Sequence, residues 1–360
     1  MLRVAVTRAI ATGAQGPQGP SLRIRLMLPA RELRRHGVTI LPLPLMSTEQ
    51  AEILHHGSTL SRGRVVIASR RRFRQDLRRI DDAGVAVVQR QVDLLPGRSL
   101  ERSVMSGRAL VLDVDDALWL PQPGGHLLGR LRRNADKLKW LASRADRVIA
   151  GNEHLAEWLT RHARDVTVVP SLVDTERVAT KVHRGSSTIV LGWIGSPSTG
   201  RYLHGVAVAL TAFAAAHREL TVRLIVVGAP APTIAGVQVE QWSWSEQHET
   251  RALAEMDVGL MPLPDNAWTR GKCAYKALQY MSAGIPVVAD DVGATGVVVG
   301  DGSAGILART PADWLDALAR LSVSPSLRRR MGEEGRARVE GQFSVRAWGS
   351  TLAALISGAV

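Results

Sequence analysis

Short apolar runs of four to seven residues alternate with helical stretches along nearly all of this 360-residue chain, and that alternation leaves few folds open. The strand-like runs of the first half are Leu2–Thr7, Val38–Leu41, Arg64–Ala68, Val85–Val88, Ala109–Val114, Arg147–Ala150 and Val166–Val169. Helical stretches fall between most of them, at Arg31–His36, Arg70–Asp82, His126–Ala145 and Glu153–His162. A polar linker from Pro170 to Ser187 follows, and then a second alternation. Its strands are Thr188–Ile194, Val222–Val227, Val237–Trp242, Val258–Met261 and Pro286–Ala289. Its helices are Tyr202–Arg218, Glu246–Glu255, Lys272–Ala283, Pro311–Leu321 and Ser326–Glu340. Strands that take turns with helices build parallel sheets from βαβ units. A chain this long exceeds one ordinary core, so the expected division is residues 1–175 and residues 176–343. Such doubly wound sheets bind ligands at the carboxyl ends of their strands.

Composition narrows the classes. A hydrophobic share of 45% with 22% charged residues is that of a globular protein. The single cysteine, Cys273, excludes an internal disulfide and fits a reducing cytoplasm. Arg8 interrupts the opening run too early for a signal-peptide core, and no apolar run approaches the roughly 20 residues that span a bilayer. The net charge of +13 is uneven: residues 1–175 hold 28 basic and 17 acidic residues, the remainder 18 and 16. A basic half attracts phosphorylated substrates, anionic headgroups or nucleic acid, or reflects a preference for arginine. Within it, Arg70–Arg79 reads as an amphipathic helix that buries Phe73, Leu77 and Ile80. Peripheral contact with the inner membrane face is the partner this favours, ahead of nucleic acid.

Several segments carry chemistry. Gly192, Trp193, Gly195, Ser196 and Thr199 close the first strand of the second half just before a helix. Glycines there let a ligand approach the backbone; the plain alternative is a tight turn capped by Ser196 or Thr199. The segment from Arg270 to Ala289 reads as a loop, a helix and a buried strand. Lys272 and Lys276, four apart, would share the first turns of that helix with Gln279 on the same face. A helix N-terminus with two lysines suits a diphosphate, although solvated lysines are the simpler reading. Gly293 and Thr295 follow the next strand, at a carboxyl end of the sheet, and either contact a bound ligand or form an ordinary turn. Trp193 and Trp268 either stack on a nucleobase or pack inside. In the first half, Asp113 and Asp115 fall on one strand face with Asp116 at its end. These carboxylates could hold a metal, activate a hydroxyl or pair with arginines. Arg23 and Arg25 alternate like one face of an extended segment and could meet a phosphorylated ligand, the plain alternative being surface charges. His126, after two glycines, is a candidate base or sugar ligand.

The run Arg-Gly-Lys-x-x-x-Lys-x-x-Gln-Tyr-Met at 270–281, the Gly192–Pro197 element and the Asp113–Trp119 run together resemble glycosyltransferase family 4. Gly19–Arg25 and Gln89-Arg90 match the subgroup that carries the Asp-x-Asp-Asp-Ala-x-Trp element. The resemblance implies a GT-B α/β fold: two Rossmann-like, doubly wound parallel-sheet domains facing across a cleft, with the helix at 344–357 returning to the first. It implies a retaining transferase with a nucleotide-diphosphate sugar as donor and a glycan, lipid-linked or small-molecule acceptor. Lys272, Lys276, Asp115, Asp116 and His126 become catalytic candidates. Gly192, Trp193, Gly195, Ser196, Thr199, Trp268, Arg270, Gln279, Gly293 and Thr295 would bind the donor, and Arg23, Arg25 and Arg90 would lie on the acceptor side. No cofactor or essential metal is implied, because basic residues and a helix dipole neutralise the leaving diphosphate. One departure stands out: the family's two glutamates, eight positions apart, fall on Gly271 and Gln279. Asp265 could substitute for the first. The alternatives are a catalytically degenerate sugar-nucleotide-binding protein of the same fold and a GT-B sugar-nucleotide epimerase.

Overall fold

A computed structural model describes residues 6–14, 19–56, 58–80, 82–121 and 134–359. The chain divides into two compact units. One holds Met1–Leu172, Gly271–Cys273 and Val345–Val360; the other holds Val173–Arg270 and Ala274–Ser344.

The first unit carries strands β1 (Thr7–Thr12), β2 (Val38–Pro42), β3 (Val85–Gln89), β4 (Ala109–Val114), β5 (Arg147–Ala150) and β6 (Val166–Val168). They form one sheet in the order β2-β1-β3-β4-β5-β6, and every pairing is parallel. Four helices matter below: α1 (Thr48–His56), α2 (Thr59–Leu77), α3 (Glu153–Leu159) and, at the far end of the chain, α6 (Val345–Ser357). Leu352, Ala353 and Ile356 of α6 join the core formed by Leu22, Leu26, Leu33 and the inner residues of β1 and β3. Each such buried aliphatic contributes roughly 1.5–3 kcal/mol.

The second unit carries β7 (Thr188–Ile194), β8 (Thr221–Val227), β9 (Val237–Trp242), β10 (Val258–Met261), β11 (Val287–Asp290) and β12 (Gly305–Ala308). Their order is β12-β11-β10-β7-β8-β9, again all parallel. The strand order reverses between β7 and β10, which is where doubly wound sheets take ligands. One face of this sheet packs Met256, Tyr280 and Met281, the last two from α4 (Tyr275–Ser282). The other packs Leu203, Phe213 and the Trp314, Leu318 and Leu321 stripe of α5 (Pro311–Val323). The polar linker is tied to this unit: the Arg336 guanidinium donates to Thr175 O and Val178 O, and Lys181 N–H to Ala283 O.

Several sequence expectations need correction. The first strand described is Thr7–Thr12, which continues past the expected end at Thr7 because Ala9 and Ala11 are small enough for a central strand buried on both faces; residues 1–5 of the expected strand lie outside the described residues. Arg64–Ala68 is not a strand but the middle of α2, whose Ser58 cap accepts from Ser61 N–H. The apolar run there packs only partly, and Ile67 is 71% exposed. Arg23–Met27 is a π-helical turn rather than an extended segment, led by Pro20 at the start of a short helix. The helix expected from Lys272 begins at Tyr275, since Ala274 adopts a left-handed conformation with φ 51°. The edge strand β12, a four-residue run inside a glycine-rich stretch, has no counterpart among the expected strands. His126 and the first part of its expected helix lie outside the described residues.

Candidate functional site

At the carboxyl end of β7, three residues share one space. Gly195 has no room for a side chain: a Cβ there would sit 2.5 Å from the Trp193 ring and 2.7 Å from Lys276 Cε. The missing Cβ lets Lys276 lie across the turn, its Nζ 5.1 Å from the centre of the Trp193 ring and 3.5 Å from Thr199 Oγ1. A cation over an indole face is held electrostatically. Trp193 is 1% exposed and packs in the core with its ring beneath Lys276. Ser196 precedes a one-turn helix begun by Pro197, and Thr199 Oγ1 donates to Ser196 O. The Gly195 N–H is used by Val227 O. In α4 the first helical bond runs from Leu278 N–H to Ala274 O. The N–H groups of Tyr275, Lys276 and Ala277 precede that bond, in the first turn of the helix.

The neighbouring glycines have packing duties. Gly192 lies inside β7, where a Cβ would collide with Met256 at 2.1 Å; Gly259 beside it makes room for the Tyr280 ring. Tyr280 accepts from Ile194 N–H, and burial raises its hydroxyl pKa. Gln279 is also buried, at 6% exposure. Gly293 has φ 60°, and a Cβ there would meet Arg270 O at 2.7 Å. Thr295 is fully buried, and its hydroxyl has no hydrogen-bond partner among the described residues. Trp268 is buried beside the Asn266-capped turn. Arg270 binds Asp265 in a two-pronged pair on the surface.

The first unit holds a different constellation. Arg25 does not face solvent; it is 7% exposed, grips Asp113 through Nε and Nη2, and donates to Val169 O and Pro170 O. Burial works against its charge, but Asp113 more than offsets this and holds the guanidinium protonated. Arg23, in the same π-helical turn, is half-buried. Arg90 sits at the end of β3 with φ 65°, a costly conformation for a side-chain-bearing residue. It reaches both Asp115 and Asp116, while Gln89 Nε2 donates to Asp115 at 2.8 Å. Burial would raise the Asp115 pKa, yet Arg90 overrides it and brings the carboxyl down to about 2. Asp113 and Asp115 thus do not form a shared metal face. Among the described residues no group of three or more acids, histidines or cysteines could hold a metal ion.

Lys272 belongs to this constellation, not to the helix face of Lys276. Its Nζ lies 2.6 Å from Asp116 Oδ1, and Asn152 Nδ2 donates to its backbone oxygen. Cys273 beside it is buried against Gly151, and burial followed by the Asp115 charge pushes its thiol pKa up, which favours the neutral thiol. At Gly271 a Cβ would stand 2.8 Å from Ala117 Cβ and 3.1 Å from Ala117 N. Sequence reasoning missed Asn152, which caps α3 by accepting from Leu155 N–H as well as holding Lys272. Its signal was the Gly-Asn pair between a strand and a helix.

Residues 188–323 match the family model described as "Glycosyl transferases group 1". No curated protein matches the chain in sequence. Among solved structures it resembles the sucrose-phosphate synthase of Thermosynechococcus elongatus, with TM-score 0.71, 11% identity and 99% of both chains covered. It also resembles the Anabaena protein HepE in complex with UDP-glucose, with TM-score 0.66, 14% identity, and coverage of 98% of this chain and 100% of that one. A glycosyltransferase from Rickettsia africae gives TM-score 0.66 at 8% identity over 99% of each chain. The chain has the GT-B fold, and within it residues 188–323 are the part similar to the group 1 glycosyl transferases.

Proposed function

We propose that the protein is a retaining glycosyltransferase of the family 4 type, moving a sugar from a nucleoside-diphosphate sugar to an acceptor hydroxyl in polysaccharide, glycolipid or other glycoconjugate synthesis. The observation that carries this reading is Lys276, laid across the Gly195–Thr199 turn at the strand-order reversal. A lysine held by an aromatic face and a hydroxyl, next to helix N–H groups, stabilises the charge that develops on a departing diphosphate. Gly293 would bring backbone N–H groups to the donor, and Asp115, Asp116, Arg90 and Lys272 would orient the acceptor hydroxyl. In this reading the leaving phosphate takes the acceptor proton in a same-face substitution. No paired carboxylates at glycosidase spacing are then needed, nor a bound metal. The UDP-glucose in the Anabaena neighbour makes a uridine nucleotide the first donor to try. The cytoplasm, or its membrane face, is the proposed location; among the described residues no helix is long and apolar enough to cross a membrane.

One observation favours a second reading. At Gly271, where the family 4 resemblance places a glutamate, a side chain fits only if Ala117 shifts, which suits a sugar-nucleotide-binding protein that has lost transfer.

The test is thermal stabilisation by UDP, GDP, ADP, CMP and dTDP, with donor hydrolysis followed in parallel. A bound nucleotide at about 100 times its Kd adds roughly 2.7 kcal/mol. Lys276→Ala should abolish that gain and slow transfer by about 10²–10³-fold. Stabilisation without hydrolysis or transfer would select the binding protein; no stabilisation by any nucleotide would sink both readings.

A further inference from the structure

Helix α2 presents an outward face that packing inside the first unit does not explain. Its inner side is ordinary: Ser69, Phe73 and Leu77 are buried. Opposite them, Leu60, Arg64, Ile67, Arg71, Arg74 and Arg78 recur at alternating steps of four and three residues. At 3.6 residues per turn this places all six on one stripe about 27 Å long. Every one is exposed, Leu60 at 79% and Ile67 at 71%. Arg64, Arg71 and Arg78 have no ion-pair partner among the described residues, and Arg74 reaches only the Ser99 hydroxyl. The helix's one acid, Asp76, turns aside to Arg72 and Arg79. On α1, which packs alongside, Ile53 is 40% exposed, and Glu49 at its start is an exposed acid.

We propose that this stripe is an interfacial docking face for an anionic lipid bilayer. The charge is complementary: four guanidinium groups in a row meet a negative surface, each worth about fivefold in partitioning. The two aliphatic side chains decide between lipid and nucleic acid. Leu60 and Ile67 gain nothing against a hydrated phosphate backbone, but at a bilayer they leave water for the acyl boundary while the arginines stay among headgroups. The inference is independent of the donor site, so its failure and that of the proposed activity are separately visible.

Flotation of the full chain with vesicles tests it, using phosphatidylcholine alone and with phosphatidylglycerol added. The chain should float only with the anionic vesicles, and less as salt rises. Arg64→Gln, Arg71→Gln and Arg74→Gln together should lower partitioning roughly 100-fold. Leu60→Ser with Ile67→Ser should lower it roughly tenfold. All five positions are exposed, so thermal stability should hold within experimental scatter. No flotation with either vesicle would overturn the proposal, as would flotation that neither variant changes. Binding that the aliphatic variant leaves intact and that RNA displaces would assign the stripe to polyanions instead.

Discussion

The carboxyl ends of the two sheets solve the problem of building a site in opposite ways. In the first unit, side chains fill the space: Arg25, Arg90 and Lys272 close on Asp113, Asp115 and Asp116, so the site is shaped by charges that fix one another. In the second, side chains are missing: Gly192, Gly195, Gly259 and Gly293 leave slots into which Met256, Lys276, Tyr280 and the Arg270 backbone fit. The first arrangement is costly to disturb because a lost partner strands a buried charge. The second is disturbed by adding atoms, and its cost depends on whether the neighbour can move.

The largest effect should come from stranding a charge. Arg25→Ala removes the partner of Asp113, whose side chain is 1% exposed, and should cost about 3–5 kcal/mol in chemical denaturation. Replacing both partners, with Arg25→Met and Asp113→Leu, should recover most of it. If the double variant is no better than the single, the pair is not the source of the cost.

Next comes acid. Asp115 titrates near 2 in the folded chain against about 3.9 when unfolded. A lowered folded pKa means that the stabilisation is complete above the unfolded value and is lost as pH falls through the folded one. The stability gap between the natural chain and Asp115→Asn should therefore shrink by roughly 2 kcal/mol between about pH 4 and pH 2. A gap that stays constant across that window would mean Arg90 does not hold the carboxylate as described.

The smallest effect tests the other unit. Gly192→Ala adds a methyl where Met256 lies, but a thioether can turn aside, so the loss should be about 1 kcal/mol. A loss larger than that of Arg25→Ala would reverse the contrast between the two regions.

How far the sequence carried this depends on where each residue's partner lies. Strands bounded by turns and buried on both faces, such as β7, β8 and β10, were legible because their apolar runs are continuous. The run Arg64–Ala68 misled because Val65, Val66 and Ile67 favour strands intrinsically, while the Ser58 cap and the Phe73–Leu77 spacing made a helix. The glycines around β7 were readable as a special turn, although not as slots for Met256 and Lys276, which come from elsewhere in the chain. Arg25 was least legible. Its acid is far away in sequence, and only the folded sheet brings Asp113, Val169 and Pro170 around it.

Gly271 has a consequence for how this chain can change. Two of the three atoms nearest a Cβ at that position belong to Ala117, and one of these is its backbone nitrogen. Trimming Ala117 to glycine would remove the methyl and leave the nitrogen in place. A side chain at 271 would then still ask that nitrogen, in the turn from Asp116 to Leu120, to give by a few tenths of an ångström. What position 271 can hold is therefore decided by how far the turn that carries Ala117 can give, and not by position 271 alone.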